Sequence, residues 1–494
     1  MDLQFSQSVH KYLQCAAREY QSQEQTQEIR IPDGMPDMAV VLACWGQPIL
    51  RGKEWRSDHV GVTGGVMAKV MYIPEDAGPP QVVEAWLPFQ MKWNIPTDRP
   101  DGTMLVDLGL RSADARVLTA RKLMVRTNVG VRLHALCPAE YTVFQPESVP
   151  DDIQLLTNRQ LLTLPVEAGE KAFGLDEILE ISGAGAKLAQ VIRLSLLPQV
   201  LEQKVLSDKL IFRGLCIAHL LYRAEDGQLY SKDFDVPFSQ YADLSGEYGA
   251  DASMQVVPAI TNLEFDQTPE RALHLKAGLS GQYLIFEQAG VDLIQDAYSP
   301  VRSVEAVMNQ LQVPAVLDQT TQPISAQTDP QVDVMRAVDV EFWPEQPYIS
   351  SDGRGLQTDL GGMFQMLYYD PDGQLQSTQT RWEQTQPLSA DTDADAAVTL
   401  RPGGKAGYST GMLHADLLTD TTVTARQGMD MVSALTVGEP AQPSPDRPSL
   451  VVTKAGKDTL WQIAKANATT VDLIRKANHL ESEPTPDTVL LIPM

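Results

Sequence analysis

The feature that most constrains the fold is a pattern that occurs three times along the 494 residues of the chain. Each copy begins with a glycine and ends, after seven further residues, with a tyrosine: Gly64–Tyr72, Gly214–Tyr222 and Gly361–Tyr369. The three tyrosines follow one another at intervals of 150 and 147 residues. Self-similarity at a fixed period indicates a repeated structural unit, so we predict three modules of about 150 residues.

Three more features recur downstream of these copies: an acidic turn with glycine, a Pro-Phe pair and an arginine. The turns are at Asp76–Gly78, Asp226–Gly227 and Asp372–Gly373. The pairs, Pro88-Phe89 and Pro237-Phe238, and the arginines, Arg121 and Arg271, occur only in the first two copies. Agreement at several offsets favours a triplicated module over chance.

The repeated segments are predicted to be strands. In the first copy Val66, Ala68 and Val70 alternate with more polar or flexible residues, which places them on one face of an extended chain. An Asp-Gly turn followed by a second β-rich run is typical of a hairpin. We therefore expect a multidomain, mainly β protein with three tandem antiparallel modules.

Four segments outside these runs are predicted to differ from the strands. We expect helices at Val9–Tyr20 and Val301–Leu311, at the edges of the modules. The segments Pro146–Asp152 and Gln319–Pro330 are rich in polar residues and proline, which is typical of linkers.

A proline-rich segment marks a further boundary near the C-terminus. Gly438–Pro448 contains four prolines, which remove backbone donors and fix φ, so it is predicted to be a tether. Beyond it, residues 449–494 carry five basic and five acidic side chains, so the first 448 residues carry the whole net charge of −25. The predicted division is 1–148, 149–318 and 319–437 for the modules, 438–449 for the linker and 450–494 for a last domain.

The last domain has the pattern strand, helix, helix, strand. Val451–Thr453 is the first predicted strand, Asp458 or Thr459 caps the first helix, a threonine caps the second, which ends near Asn478, and Val489–Pro493 closes the domain. With its Asp-Thr-Leu-Trp run and its terminal Ile-Pro, this segment resembles the LysM domain, which implies a small βααβ fold.

The resemblance to LysM domains implies a binding groove between two loops. In LysM domains the first loop helps to grip N-acetylated sugars, and here it contains an additional residue between glycine and aspartate, Lys457; in the second loop Pro486-Asp487 replaces a turn glycine. The candidate partner- or glycan-binding residues of the groove are Lys457, Asp458, Thr459, Leu460, Trp461, Asn478, His479 and Leu480.

The front of the chain resembles the SPOCS domain of endospore-forming bacteria. The resemblance is carried by Ile31–Met38, by Arg121-Lys122-Leu123 and by Asp296–Ser299, and it is strongest in the first two modules. SPOCS modules followed by a LysM domain are similar to coat morphogenetic proteins of the spore. The resemblance implies a scaffold or adaptor in coat and cortex assembly, located in the mother-cell cytoplasm and recruited to the forespore outer surface. It also implies a protein partner, the SpoIVA-type coat ATPase.

Composition excludes several other classes of function. The acidic balance of 39 basic against 64 acidic residues argues against nucleic acid and anionic membranes as partners. The four cysteines are scattered and none lies in a CxxC motif, which favours a reducing compartment and predicts no zinc site. The first residues lack a basic n-region and an apolar h-region, so they are not predicted to be a secretory signal. No stretch of the sequence approaches the roughly 18 consecutive apolar residues that a membrane span requires.

Two segments imitate binding motifs and fail at their critical positions. Ser182–Lys187 lacks the third glycine of a dinucleotide loop, where Leu188 stands, and it lacks the P-loop spacing. Asp391–Asp395 begins like a calcium loop, but Ala396 and Pro402 occupy the glycine and glutamate positions. Trp45, Trp55, Trp86 and Trp93 in the first module are predicted to pack in its core rather than to form a binding surface.

We therefore expect a protein that is not an enzyme and that uses no metal or cofactor. It would consist of three modules on a string that end in a tethered LysM domain, whose groove binds a protein. Two alternatives stay open at this point. The LysM domain could bind peptidoglycan or a precursor glycan, or the modules could hold an unrecognised pair of carboxylates and hydrolyse the cortex.

Overall fold

The computed structural model describes residues 2–76, 78–95, 101–181, 187–268, 272–351, 355–390, 395–440 and 448–494. The chain is multidomain and mainly β, as predicted. Ser182–Ala186 and Asp391–Ala394, from the two imitated motifs, and the central part of the proline-rich linker lie outside the described residues.

The first module consists of six strands in two antiparallel sheets. They are β1 (Phe5–Arg30), β2 (Met38–Trp55), β3 (His59–Pro74), β4 (Gln81–Asn94), β5 (Thr103–Thr119) and β6 (Lys122–Pro146). One sheet has the order β1-β6-β5 and the other β2-β3-β4. The first and last strands of the module thus pair with each other along almost their whole length.

The second module repeats this plan. Its strands are β7 (Gln154–Leu179), β8 (Leu188–Ala224), β9 (Leu229–Tyr248), β10 (Ser253–Gln267) and β11 (Leu273–Tyr298). The sheets have the orders β10-β11-β7 and β8-β9, so the first strand again pairs with the last. Strand β8 covers the stretch that corresponds, at an offset of 150 residues, to β2 and β3 together.

The third module follows the same plan with one additional short strand. Its strands are β12 (Arg302–Thr328), β13 (Arg336–Pro344), β14 (Tyr348–Ser351), β15 (Leu356–Tyr369), β16 (Leu375–Leu388), β17 (Asp395–Ser409) and β18 (Met412–Pro440). One sheet has the order β12-β18-β17, and in the other β13, β14 and β16 all pair with β15. The C-terminal domain adds β19 (Leu450–Lys454), α1 (Leu460–Ala466), α2 (Val471–Asn478) and β20 (Val489–Pro493).

The structure contradicts three of the local predictions. Val9–Tyr20 and Val301–Leu311 are not helices: the first is part of β1, and the second, from Arg302 onward, is part of β12. Gln319–Pro330 is not a linker, because β12 continues to Thr328. In each case pairing with a strand more than eighty residues away supplies the backbone hydrogen bonds, and this overrides the local pattern.

Strand continuity also bears on the module boundaries. The boundary placed between residues 318 and 319 falls inside β12, which pairs with β18 from Arg302 onward. The strands therefore favour dividing the modules at residues 147–153 and 299–301, where the chain connects the last strand of one module to the first strand of the next.

The repeated glycines are required by close packing inside the modules. A Cβ at Gly64 would collide with the carbonyl oxygen of Ile49 and would lie 2.6 Å from the ring of Phe89. Gly214 has the same environment, with the carbonyl of Gln199 and the ring of Phe238. The phenylalanine of each Pro-Phe pair therefore covers the repeated glycine, which explains why both features recur together in the first two modules.

The three modules pack together rather than forming a string. The first strand of each module has a bulge at a matching position: Ala16, Val166 and Leu317. On the N-terminal side of this bulge, the first strand and the last strand of the module continue as a two-stranded ribbon. The ribbons share one hydrophobic core, which includes Tyr12, Leu162 and Val313. The N-terminus closes this arrangement, because Leu3 N donates a 2.9 Å hydrogen bond to the carbonyl of Leu435 in the third module.

Three of the four tryptophans of the first module pack in or against its core, as predicted, whereas Trp86 packs against a cluster formed mostly by the second module. Trp45 and Trp93 are buried in its core, and Trp55 and Trp86 are half-buried and pack against hydrophobic clusters.

Among the residues that the structure describes, no helix has the length and apolar character needed to cross a membrane.

Candidate functional site

The C-terminal domain has the predicted order of strand, helix, helix and strand. Thr459 caps α1 in a capping box, in which Gln462 N donates to the Thr459 hydroxyl and Thr459 N donates to the Gln462 side chain. Thr470 caps α2 by accepting from Leu473 N at 3.3 Å. The two strands pair antiparallel with Val452 opposite Leu491. Local capping signals therefore determine the ends of both helices.

The core of this domain contains a side chain from the second module. Leu460, Ile463, Ile474 and Leu490 are buried, and Tyr298, from the end of β11, packs in the same cluster with 5% of its surface exposed. The hydroxyl of Tyr298 donates a 2.9 Å hydrogen bond to the carbonyl of Thr469. The domain is thus docked on the second module.

Trp461 lies in this contact. Its ring meets the ring of Tyr298 edge-on, with 4.7 Å between centroids, and its indole N–H donates a 2.8 Å hydrogen bond to Asp296. The ammonium group of Lys465 contacts both oxygens of the same carboxylate, at 2.7 and 2.8 Å. We call these four residues, Asp296, Tyr298, Trp461 and Lys465, the docking contact.

The docking contact also perturbs the titration of its members. Burial raises the pKa of Asp296, but the hydrogen bonds from Lys465 and Trp461 outweigh burial, so the pKa is lowered. Burial, with a smaller effect of the Asp296 charge, raises the pKa of Tyr298 to about 12. Asp296 is therefore an anion that accepts from both LysM donors, and Tyr298 keeps the proton that it donates to Thr469.

A carboxylate bridges the two loops of the predicted groove. Glu483, in the loop between α2 and β20, accepts a 2.9 Å hydrogen bond from Leu460 N at the start of α1. The same loops are joined where Gly456 N donates to the carbonyl of Pro486 at 2.9 Å. The backbone donor that the first loop offers at Leu460 is thus already satisfied within the protein.

The eight candidate residues divide into an exposed and a structural group. Lys457, Asp458, Thr459 and His479 are exposed, whereas Leu460 is buried and Trp461, Asn478 and Leu480 are half-buried. The structure thus leaves only part of the predicted set free to meet a partner.

Two of the candidates in the second loop support the backbone of the domain. The side-chain amide of Asn478 donates to the carbonyl of Leu491 at 2.6 Å and accepts from Leu491 N at 2.7 Å, which ties α2 to β20. His479 ends α2 in the left-handed region, with φ 53° and ψ 42°. His479 nevertheless keeps an exposed side chain.

Sequence reasoning missed the roles of Lys465, Glu483, Asp296 and Tyr298 in this region. The run Asp296–Ser299 was noted as part of the resemblance to SPOCS domains, but its contact with the last domain spans 171 residues and has no local signal. An acidic and an aromatic residue at the very end of a strand were the one hint of an interface.

A second cluster of charged residues lies between the second and third modules. The ring of His219 contacts Asp233 through Nδ1 and Asp339 through Nε2, and Arg193 contacts Asp339 at 2.9 Å. Burial lowers the pKa of His219, but the two carboxylates outweigh it and raise the pKa to about 9. Both carboxylates are engaged by cations, so this cluster holds two modules together and supplies no free acid or base.

The described residues contain no group of three or more His, Cys, Asp or Glu that could hold a metal ion. The four cysteines are free thiols, and burial raises the pKa of Cys44 and Cys216. A reactive thiolate is therefore not favoured at either buried position.

Comparison with known proteins defines the class of the chain. Residues 187–268 match the family model described as the SipL, SPOCS domain, and residues 457–493 match the LysM domain model. The chain is thus a sporulation protein that combines a SPOCS domain with a peptidoglycan-binding-type module. This combination resembles SipL, as the SPOCS match indicates by its description. No characterised protein and no solved structure matches the chain.

Proposed function

We propose that the protein is a non-enzymatic adaptor in assembly of the endospore envelope, the coat and the cortex. In this proposal it resides in the mother-cell cytoplasm and is recruited to the outer surface of the forespore. Its LysM domain binds a protein partner, the SpoIVA-type coat ATPase, and its three packed modules position that domain. The matches to the SPOCS and LysM domains, neither of which is catalytic, support this proposal.

The observation that carries the choice of a protein over a glycan is the state of the groove. Recognition of an N-acetyl group requires free backbone donors and acceptors and an apolar wall for the sugar. Here Glu483 already accepts from Leu460 N, and the ring of Trp461 faces Tyr298. The exposed polar residues Lys457, Asp458 and His479 stay free to meet a protein surface.

A pull-down with the full chain tests this proposal. We expect Lys457→Glu to weaken capture of the coat ATPase at least tenfold, because it reverses a charge at the exposed loop. Lys476→Glu makes the same charge change in α2, outside both loops, and should leave capture unchanged. Equal capture by the wild-type chain and by a chain that lacks residues 449–494 would contradict the proposal.

The match to the LysM family favours a second candidate function, binding of peptidoglycan or of a precursor glycan. Sedimentation of the full chain with purified sacculi distinguishes the two. Binding to sacculi that survives Lys457→Glu, with no capture of the coat ATPase, would favour the glycan. Release of muropeptides by the full chain would establish the remaining alternative, a hydrolase.

A further inference from the structure

A cavity of about 1100 Å³ lies where the three modules meet. Each module contributes several strands to its lining, among them β1, β2, β5 and β6 from the first, β8, β10 and β11 from the second, and β12, β13, β17 and β18 from the third. Its volume is slightly above the roughly 300–1,000 Å³ that is typical of pockets that hold small organic molecules, and such pockets are frequent at domain junctions. We call it the central cavity.

The three modules present different side chains at one equivalent level beside the central cavity. Two residues past the matching bulges, the first strand of each module faces a partner on the last strand: Arg18 opposite His134, Ala168 opposite Leu284, and Gln319 opposite Thr422. The pairs of the first and third modules line the cavity with polar groups. The pair of the second module is apolar. Because the three modules share one fold, the fold does not require polar residues at this level, and the repeats have diverged here.

Two buried nitrogen atoms at this level have no hydrogen-bond partner within the described part of the chain. They are Nη1 of Arg18 and Nε2 of His134, and both residues line the central cavity. A buried polar atom without a partner costs about 1–3 kcal/mol, so such atoms usually contact a water, an ion or a ligand. Burial and the neighbouring Arg18 lower the pKa of His134 to about 3, so the imidazole is neutral.

Within the described part of the chain, Arg18 differs from the other cations of the cavity because no carboxylate forms an ion pair with it. Most carboxylates that line the cavity contact cations of the protein: Asp107 with Arg132, Asp420 with Arg401, Asp233 with Lys405, and Glu341 with Arg193. Glu19 and Asp395 also line the cavity, and both are exposed to solvent. The unmatched charge next to His134 is therefore positive.

An apolar wall adjoins the two nitrogen atoms. Leu105 lies opposite His134 on β5, and Phe286 follows Leu284 on β11. Both are buried, line the cavity and belong to one hydrophobic cluster. A cationic and a neutral donor beside an apolar wall match a ligand with a carboxylate on an apolar body.

We propose that the central cavity binds a small organic carboxylate, with its anionic group on Arg18 and His134 and its apolar part against Leu105 and Phe286. The guanidinium donates from Nη1, and the imidazole donates from Nε2 in the tautomer that carries its proton there. This site is separate from the LysM groove, so its test is independent of the proposed adaptor function.

Calorimetry of the full chain with three probes tests the proposal. Benzoate should bind. Benzamidine has a similar shape and the opposite charge, and it should bind at least tenfold more weakly than benzoate. Inorganic phosphate should also bind at least tenfold more weakly than benzoate. Arg18→Gln and His134→Gln should each weaken benzoate binding at least tenfold. Arg126→Gln, in the same strand as His134 but half-buried and outside the cavity lining, should leave benzoate binding unchanged.

Several results would overturn the proposal. An absence of benzoate binding would assign the two nitrogen atoms to water. Binding of benzamidine or of phosphate as tight as that of benzoate would contradict the proposed ligand class. Benzoate binding that Arg18→Gln does not change would contradict the proposed site. A second readout covers variants that do not fold. In the wild-type chain with ¹⁵N-labelled histidine, benzoate should shift the Nε2 resonance of His134, and an unchanged resonance would count against the site.

Discussion

Tyr298, at the end of the second module, donates a hydrogen bond from its hydroxyl to the carbonyl of Thr469, between the two LysM helices, at 2.9 Å. Its ring is part of the LysM core, where it meets Trp461 edge-on. The LysM domain therefore completes its core with a residue of another domain. This relationship makes the domain a fixed part of the assembly, and it separates the role of Trp461 from that of the exposed loop residues.

Truncating Tyr298 should destabilise the LysM domain selectively. Tyr298→Ala removes a buried ring and leaves a cavity, which costs about 3 kcal/mol or more. Tyr298→Phe removes only the hydrogen bond to Thr469 and should cost about 1 kcal/mol. Hydrogen exchange of the amides in α1 and α2 measures both effects, while amides of β15, in the third module, serve as the internal control. Unchanged exchange in Tyr298→Ala would mean that the domain does not depend on the docking contact.

Acid should release the docking contact through Asp296. Its pKa is lowered below the ordinary value of 3.8, so the stabilisation that it provides is complete above that value. The stabilisation is lost as pH falls through the lowered folded-state pKa. We expect the fluorescence of Trp461 to report undocking below pH 3.8 in the wild type. Asp296→Asn should weaken docking at neutral pH and remove this acid transition, whereas Asp292→Asn, on the same strand but exposed, should keep it.

The parts of the structure that could be predicted from the sequence are those with local causes. The LysM helices begin directly after Thr459 and Thr470 because these side chains cap the first turn, and the start of each helix was predictable. The repeated glycine-to-tyrosine segments were predictable as strands because their apolar residues alternate. Val9–Tyr20 was predicted wrongly because its conformation depends on pairing with β6, as when Tyr12 lies opposite Ala139. The docking of Trp461 on Tyr298 and the pairing of Arg18 with His134 are non-local in the same sense.

The junction between the second and third modules should weaken in alkali. The folded-state pKa of His219 is raised to about 9, so its stabilisation is fully present below the ordinary value of 6.5. It is lost as pH rises from 6.5 through 9, because the imidazolium that Asp233 and Asp339 hold is deprotonated. Urea denaturation at several pH values should show this decline in the wild type. The decline should be absent in His219→Gln and present in His274→Gln, a variant at a half-buried histidine of β11.

Opening the LysM groove tests the glycan alternative directly. Glu483→Ala frees Leu460 N, which Glu483 otherwise engages at 2.9 Å. If the groove retains any affinity for N-acetylated sugars, binding of a chitin oligosaccharide should increase in this variant. Glu481→Ala, two residues away in the same loop, is the matched control. An absence of sugar binding in Glu483→Ala would leave the protein partner as the ligand of this domain.

The repeated glycine should be intolerant of even one methyl group. In Gly64→Ala the new Cβ would collide with the carbonyl of Ile49 and with the ring of Phe89, and overpacking of this kind costs about 1–3 kcal/mol. Gly109→Ala, in β5, is the control, because no described atom apart from those of its two chain neighbours lies within 4 Å of its Cβ position. Alanine there should be neutral or stabilise by up to about 0.5 kcal/mol, since glycine loses more backbone entropy on folding. Urea denaturation of the two variants compares them, and equal stability would show that the glycine-to-tyrosine pattern does not arise from this packing.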